Sequence, residues 1–239
     1  MPSPSSIAAE IRRQLKTGGS PKHAKGVQWF FKEEIKSRGW YTAPLRKAAV
    51  QTRRIILKDH DLPFLVKVAD KLFAGRVLEE KIFAVFLLEN LTDGLGDAEF
   101  RLFESWLPRI SSWADHDALV HYLISPMVAA KPSRSRNAFR WAKSPKRWHR
   151  RAACVALIRG ARQRMFFAEI KRMTAALLQD QDDMVQKGLG WLLRETTKFD
   201  PKRTTSYLKS IAKNCPRLVL RTACETLPAS TKKAILACG

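Results

Sequence analysis

Apolar residues recur along this chain at the three- and four-residue spacing of helices, and the strict alternation of a half-buried strand is nearly absent. Ile7, Ile11 and Leu15 lie four apart behind Ser5 and Ser6, either of which can cap a helix start. Residues 17–21 hold two glycines and a proline and form a loop. Val27, Phe30, Phe31, Glu34 and Ile35 predict a helix over about 25–37, ended by Gly39. Pro44 falls in the first turn of the next helix, where its missing N–H costs nothing, and that helix runs to about Lys58. The spacing then predicts pairs: 62–74 with 77–91, 98–110 with 114–125, 137–143 with 145–159, 163–178 with 183–197, and 201–214 with 216–227. Pro126 interrupts, leaving at most a short helix over 127–130, and a final helix over 230–237 caps the series.

A longer period lies over the helical one. Basic residues give way to small and apolar ones at Lys47, Lys81, Arg151, Lys187 and Arg221, and Asp117 stands at the matching point of the third unit. The steps between these six positions are 34, 36, 34, 36 and 34 residues. A fixed period of this size marks a helical solenoid, in which each helix pair buries its apolar face against its neighbours. The fold expected is all-α, an α-solenoid of about six HEAT-like helix pairs with a basic concave surface. It is expected to form a single domain over 1–239: an N-terminal helix and loop over 1–23, repeats over 24–227, and a capping helix over 228–239. In such an array the six residues form a ladder along one surface, with five basic rungs and one acidic rung.

Composition narrows the function. The formal charge is +22 with a pI near 10.4, far beyond what solubility requires, and it implies a polyanionic partner. Residues 131–172 hold 14 Lys and Arg against one acid, Glu169, whereas residues 58–100 hold five basic and nine acidic residues. No apolar run approaches the roughly 18 residues of a membrane helix. The start of the chain lacks the basic and apolar regions of a secretory signal. The four cysteines form no C-x-x-C pair and are expected to be buried free thiols in a reducing, cytoplasmic setting, nucleoid-associated if the source is prokaryotic. The five histidines show no metal spacing, and there is no phosphate-binding glycine loop, dinucleotide fingerprint, zinc-deaminase signature or nucleophile elbow. No cofactor and no metal is expected.

Trp113 and Asp117 are four apart and share a helix face. Trp191 stands four residues after Lys187, and Arg151 lies at the head of the intervening unit. Stacked units would bring these four residues towards one patch beside the basic block. Aromatic faces contact a sugar or base, arginine holds a phosphate, and a carboxylate faces developing positive charge. Taken singly, each has an ordinary structural account: Asp117 against the helix dipole, Trp113 and Trp191 as core, and Arg151 as one more solvated base. Their joint occurrence favours the functional account. Trp148 is assigned to packing, while His116 and His149 have no partner pattern.

The segments Trp113-Ala114-Asp115-His116-Asp117, Trp148-His149-Arg150-Arg151-Ala152-Ala153 and Gln186–Glu195 resemble the signature segments of the AlkD family, DNA glycosylases for alkylated bases built from HEAT-like repeats. The resemblance spans roughly residues 24–227. It implies that Asp117 is the catalytic carboxylate, that Trp113 and Trp191 flank the deoxyribose of the lesion, and that Arg151 contacts the backbone there. Two features depart from the pattern: His116 stands where the family usually has an apolar residue, and the turn over 39–44 is one residue longer. No N-terminal contact is carried over.

The expectation is therefore a monofunctional DNA glycosylase of the base excision repair type, releasing cationic alkylated purines such as 3-methyladenine and 7-methylguanine from duplex DNA. Arg151, Arg150, Lys187, Arg147 and Lys146 are its candidate DNA-binding residues. The protein is expected to act as a monomer with no obligate protein partner and no membrane. Two alternatives stand beside it: a non-catalytic HEAT-repeat protein that binds damaged or branched DNA, and a helical scaffold for an acidic protein.

Overall fold

The computed structural model describes residues 2–238, and among these the regular structure is all helical, with no strand. The chain divides into two compact units, 1–123 and 124–239. The first contains α1 (Pro4–Thr17), α2 (Pro21–Gln28), α3 (Thr42–Asp59), α4 (Leu62–Phe73), α5 (Leu78–Leu88), α6 (Asp97–Trp106) and α7 (Trp113–Leu119). The second contains α8 (Ser125–Ala130), α9 (Ser135–Ala142), α10 (Arg147–Val155), α11 (Ile158–Arg162), α12 (Phe167–Leu177), α13 (Asp183–Phe199), α14 (Pro201–Ile211), α15 (Arg217–Ala223) and α16 (Ala229–Leu236). No helix among the described residues is long and apolar enough to cross a membrane.

The long period has a direct structural counterpart. In the first unit α3 packs on α5 and α5 on α7, and in the second α10 packs on α13 and α13 on α15. These are the helices that carry Lys47, Lys81 and Asp117, and Arg151, Lys187 and Arg221, so within each unit a step of 34 or 36 residues moves the chain one helix along its row. Small residues set the closeness of the rows. A Cβ on Gly190 of α13 would lie 2.6 Å from the Thr222 Cβ on α15, nearer than two carbons tolerate, so glycine is what permits this approach. In the first unit α5 is enclosed all round, and Phe83, Phe86, Leu87 and Leu88 are buried with Leu65, Leu72 and Phe73 of α4. Phe73 stacks on Trp106 of α6 with ring centroids 4.3 Å apart.

Several segments differ from their sequence expectation: the helix expected over 145–159 is broken into α10 and α11, and the one expected to 227 ends at Ala223. The helix expected over 25–37 is not there: α2 begins earlier, at Pro21, and stops at Gln28. The Gln28 side chain donates to the carbonyls of Phe31 and Glu33 and accepts from the amide of Ile35. It thereby ties off a loop where the apolar spacing alone favoured helix. The buried carboxylate of Glu79 then accepts from the Ser37 hydroxyl and from the amides of Arg38, Gly39 and Trp40. Gly39 has φ +78°, and a Cβ there would lie 2.0 Å from the Ser20 carbonyl oxygen. Glycine thus shapes an extended connection at this point.

Around Pro126 the backbone stays helical. A π-helical turn, Val120–Ile124, joins α7 to α8. Proline has no N–H to donate and its ring crowds the carbonyl four residues back, and the wider turn accommodates both. The helix expected from 163 begins only at Phe167, because Arg164 and Phe166 take left-handed conformations and the Phe166 ring lies over Gly160. Among the cysteines, Cys154, Cys215 and Cys224 are buried as expected, whereas Cys238 is exposed. Burial pushes the Cys154 thiol up to about 12, so it carries no thiolate reactivity near neutral pH.

Candidate functional site

Helix α7 starts with a capping box. The Asp115 carboxylate accepts from the amide and hydroxyl of Ser112, both at 2.7 Å, and from the amide and hydroxyl of Ser111, both at 2.9 Å. It also receives the Lys81 ammonium of α5 at 3.0 Å. Lys81 donates further to the Arg109 carbonyl and the Ser111 hydroxyl. This is a buried ion pair with many hydrogen bonds, the condition under which two charges tolerate removal from water. Lys81, expected as an exposed basic rung, is only 3% exposed. The start of the neighbouring helix offers it a carboxylate, a carbonyl and a hydroxyl, and it turns inward to meet them.

Asp117 lies two residues on from Asp115, nearly across the helix from it. Its side chain is 22% exposed, and it meets the fully buried His116 ring at Nδ1, 2.7 Å away. His116, which had no visible partner in the sequence, braces the carboxylate of its neighbour. Trp113 shares the Asp117 face one turn earlier. Its indole N–H donates to the Phe30 carbonyl at 3.3 Å, and Phe31 stacks on it with centroids 4.9 Å apart and planes within 15°. One aromatic face of Trp113 therefore belongs to the 29–41 connection.

In the second unit the candidate cations of α10 reach the chain that opens α13. Arg150 forms a two-pronged pair with Asp180, at 2.6 and 3.3 Å, and also donates to the carbonyls of Ser144 and Pro145. The hydrogen bond to Asp180 comes first among the causes that hold this guanidinium above its ordinary pKa. Arg147 pairs with Asp182 at 2.8 Å, and Asp182 in turn caps α13 by accepting from the amides of Met184 and Val185. Arg151, 6% exposed, donates to the Met184 carbonyl at 2.6 Å, and a Cβ on Gly188 would lie 3.0 Å from its Cγ. Lys187 pairs with Asp183 at 3.4 Å. Lys146 is exposed, and Trp191 lies half-buried one turn beyond Lys187 on α13.

The structure thus brings Arg147, Arg150 and Arg151 together against residues 180–184, and it sets Trp113 and Asp117 on one turn of α7. The ladder is not a uniform exposed row: Lys47 and Arg221 are exposed, while Lys81 and Arg151 are drawn inward. Asp180 and Asp182 were missed because the acidic run 180–183 follows the basic block by about one repeat, and only the stacking of successive helices juxtaposes them. The His116–Asp117 contact was hidden because adjacent residues on a helix are not ordinarily neighbours.

The sequence profile of a family described as "DNA alkylation repair enzyme" matches residues 11–227. Among solved structures, the chain is similar to a "Predicted DNA alkylation repair enzyme from Enterococcus faecalis", with a TM-score of 0.78 and 17% identity over 90% of this chain and 99% of that one. It is also similar to AlkD2 from Streptococcus mutans, with a TM-score of 0.63 and 16% identity over 95% of this chain and 100% of that one. A further similar structure is smu.31 from Streptococcus mutans UA159, with a TM-score of 0.60 and 16% identity over 93% of this chain and 100% of that one. At these identities the likeness speaks for a shared helical-repeat fold. No curated protein matches the chain.

Proposed function

The chain belongs to the DNA alkylation repair enzyme family, and on that premise we propose that it is a monofunctional DNA glycosylase that releases cationic alkylated purines from duplex DNA. The observation that carries this reading is the Asp117 carboxylate: partly exposed, on the same helix face as Trp113, and held by the buried His116 ring. Breaking an N-glycosidic bond leaves positive charge on the sugar. A carboxylate fixed in place before the reaction stabilises that charge without reorganising as it forms. A carboxylate can only accept, so a proton on His116 Nδ1 bridges the two groups, fixing the carboxylate's orientation.

The choice of lesion follows from the leaving group. A purine alkylated at N3 or N7 is already cationic and departs as a neutral base, so no protein acid is needed to protonate it. The reading therefore covers 3-methyladenine and 7-methylguanine and excludes uracil and hypoxanthine. Trp113 and Trp191 are assigned to the flanks of the sugar. Lys146, Arg147, Arg150, Arg151 and Lys187 are assigned to the DNA backbone, and Arg151 also holds α10 on α13 through the Met184 carbonyl. In this reading the chain works as one domain, as a monomer in the cytoplasm, on double-stranded DNA, without a cofactor.

The test is release of free methylated base from alkylated duplex DNA by the wild type and by Asp117→Asn. The variant keeps shape and hydrogen bonding and removes the charge. The expected result is retained DNA affinity with release lowered by roughly 10²–10³, the scale of losing one electrostatic stabiliser. Wild-type turnover by Asp117→Asn overturns the assignment of the carboxylate. Binding without release by the wild type favours the non-catalytic alternative.

A further inference from the structure

The connection between α2 and α3 ends in an aromatic tip that nothing described so far uses. Trp29 is 90% exposed and Phe30 is 72% exposed, the two most exposed large hydrophobic side chains among the described residues. Exposed tryptophan is unusual, because it is normally well buried. Here the next residue repeats the exposure.

The backbone of this tip is held on every side. The amides of Trp29, Phe30 and Phe31 donate to the carbonyls of Gly26, Val27 and Gln28. The Gln28 side chain closes the loop through Phe31, Glu33 and Ile35. Phe31 stacks on Trp113, and the Trp113 indole donates to the Phe30 carbonyl. The two aromatic side chains are thus presented on a fixed backbone, and the support beneath them is the residue one helical turn before Asp117.

The charge around the tip favours a polyanionic occupant. Lys22 and Lys25 are exposed on α2. The far end of the same connection lines a cleft with Lys36, Arg76 and Arg109, the last paired with Asp70, beside the acid Glu34. Two side chains bury too little to hold a protein on a lipid surface, whereas a nucleobase presents an aromatic face of matching size, and aromatic side chains set between base steps unstack and fill them. We propose that Trp29 and Phe30 form a wedge that stacks on nucleobases where the duplex is interrupted at a lesion. The proposal rests on the reading that Asp117 marks the lesion-handling end of the first unit, and it adds a damage-sensing element to that reading.

The experiment uses the full chain and a fluorescein-labelled duplex carrying one tetrahydrofuran abasic site, beside the matched intact duplex, with binding followed by anisotropy. Neither DNA offers a base to be released, so the readout is independent of catalysis. Both side chains are exposed, and Trp29→Ala with Phe30→Ala is expected to fold, as circular dichroism checks. The wild type is expected to prefer the interrupted duplex. The double alanine variant is expected to lose affinity for it by about 10- to 100-fold, the scale of lost base stacking. Affinity for the intact duplex and the salt slope are expected to stay as they were, since no phosphate contact is removed. Trp29→Phe with Phe30→Tyr, which keeps two aromatic faces, is expected to restore the preference.

An unchanged preference, or an equal loss on both duplexes, overturns the wedge. So does Trp29 fluorescence that answers phosphatidylglycerol vesicles and not DNA, which assigns the tip to a membrane, and so does self-association abolished by the double alanine variant. Base release from alkylated duplex, measured on the same preparations, separates the two readings. A wild type that prefers the interrupted duplex through its wedge and releases no base sinks the glycosylase reading and supports the wedge alone.

Discussion

The junction between α5 and α7 in the first unit and the junction between α10 and α13 in the second are built by the same device and end differently. In each, a cation on one helix crosses to the start of the next helix in the row, about one repeat later. In the first unit the cation is Lys81 and its target is Asp115, with side chains 4% and 0% exposed. In the second, Arg147 and Arg150 reach Asp182 and Asp180 with guanidinium side chains 38% and 20% exposed, while Arg151 lies beneath. The buried junction is closed to any outside anion. The half-exposed one holds its arginines in place and still presents part of each to water. The repeat position itself, Lys81 and Arg151, is turned inward in both units, whereas Arg147 and Arg150 beside it in the second unit stay partly exposed.

The sharpest way to break this comparison is Asp115→Ala. It strands Lys81 in a dry site and removes the acceptor for the amides and hydroxyls of Ser111 and Ser112. The expected loss is about 3–5 kcal/mol of unfolding free energy, as for other broken buried pairs, measured by urea denaturation. A loss below about 1 kcal/mol would place this pair with surface ion pairs and erase the contrast.

A second, smaller effect concerns acid. Burial alone would raise the Glu195 carboxyl, but hydrogen bonds from Lys198 and Arg162, with the charges of both, outweigh it and hold the pKa below its ordinary value. A carboxyl depressed in the folded state contributes stability that is present above its unfolded pKa and lost as pH falls through its folded pKa. The second unit should therefore lose stability below the ordinary carboxyl range. Glu195→Gln should flatten that part of the pH profile and cost about 1–3 kcal/mol at neutral pH, the scale of charge-assisted hydrogen bonds. The check is a thermal-melt series over pH, and an unchanged profile in the variant counts against the role given to Glu195.

The smallest effect sharpens the binding side. Lys146→Ala removes one exposed cation beside Arg147 and Arg150 and should leave stability within about 0.5 kcal/mol. If Lys146 meets a phosphate, the slope of log affinity against log salt should fall by about 0.9, whereas the buried cation Lys81, replaced by Met, should leave the slope as it is. Equal slopes for Lys146→Ala and the wild type remove Lys146 from the binding surface.

Much of the architecture was legible from residue spacing. The period of 34 to 36 residues located the rows of stacked helices, because each repeat buries its apolar face on the next and repeats the pattern that does so. Helices over 42–58, 62–74 and 183–197 followed from their apolar stripes and caps, with ends shifted by no more than a residue or two. The pairing of Trp113 with Asp117 on one helix face followed from their spacing of four.

What only the tertiary structure decided were interactions between residues distant in sequence and side chains that compete with local propensity. The loop at 29–41 overrode a helical pattern because Gln28 ties it locally and Glu79, some 40 residues away, satisfies its backbone amides. The exposure of Trp29 and Phe30 follows from that loop, whereas in the expected helix Phe30 falls on the apolar stripe. Whether a lysine or arginine at the repeat's head faced water or turned inward depended on the acceptors that the next helix presented. Lys81 met Asp115, the Ser111 hydroxyl and the Arg109 carbonyl; Lys47 remained exposed. Spacing fixes which helix face a residue occupies, because backbone geometry is local. The fate of a charge depends on its surroundings, because the cost of taking it out of water is repaid only by partners that folding brings from elsewhere in the chain.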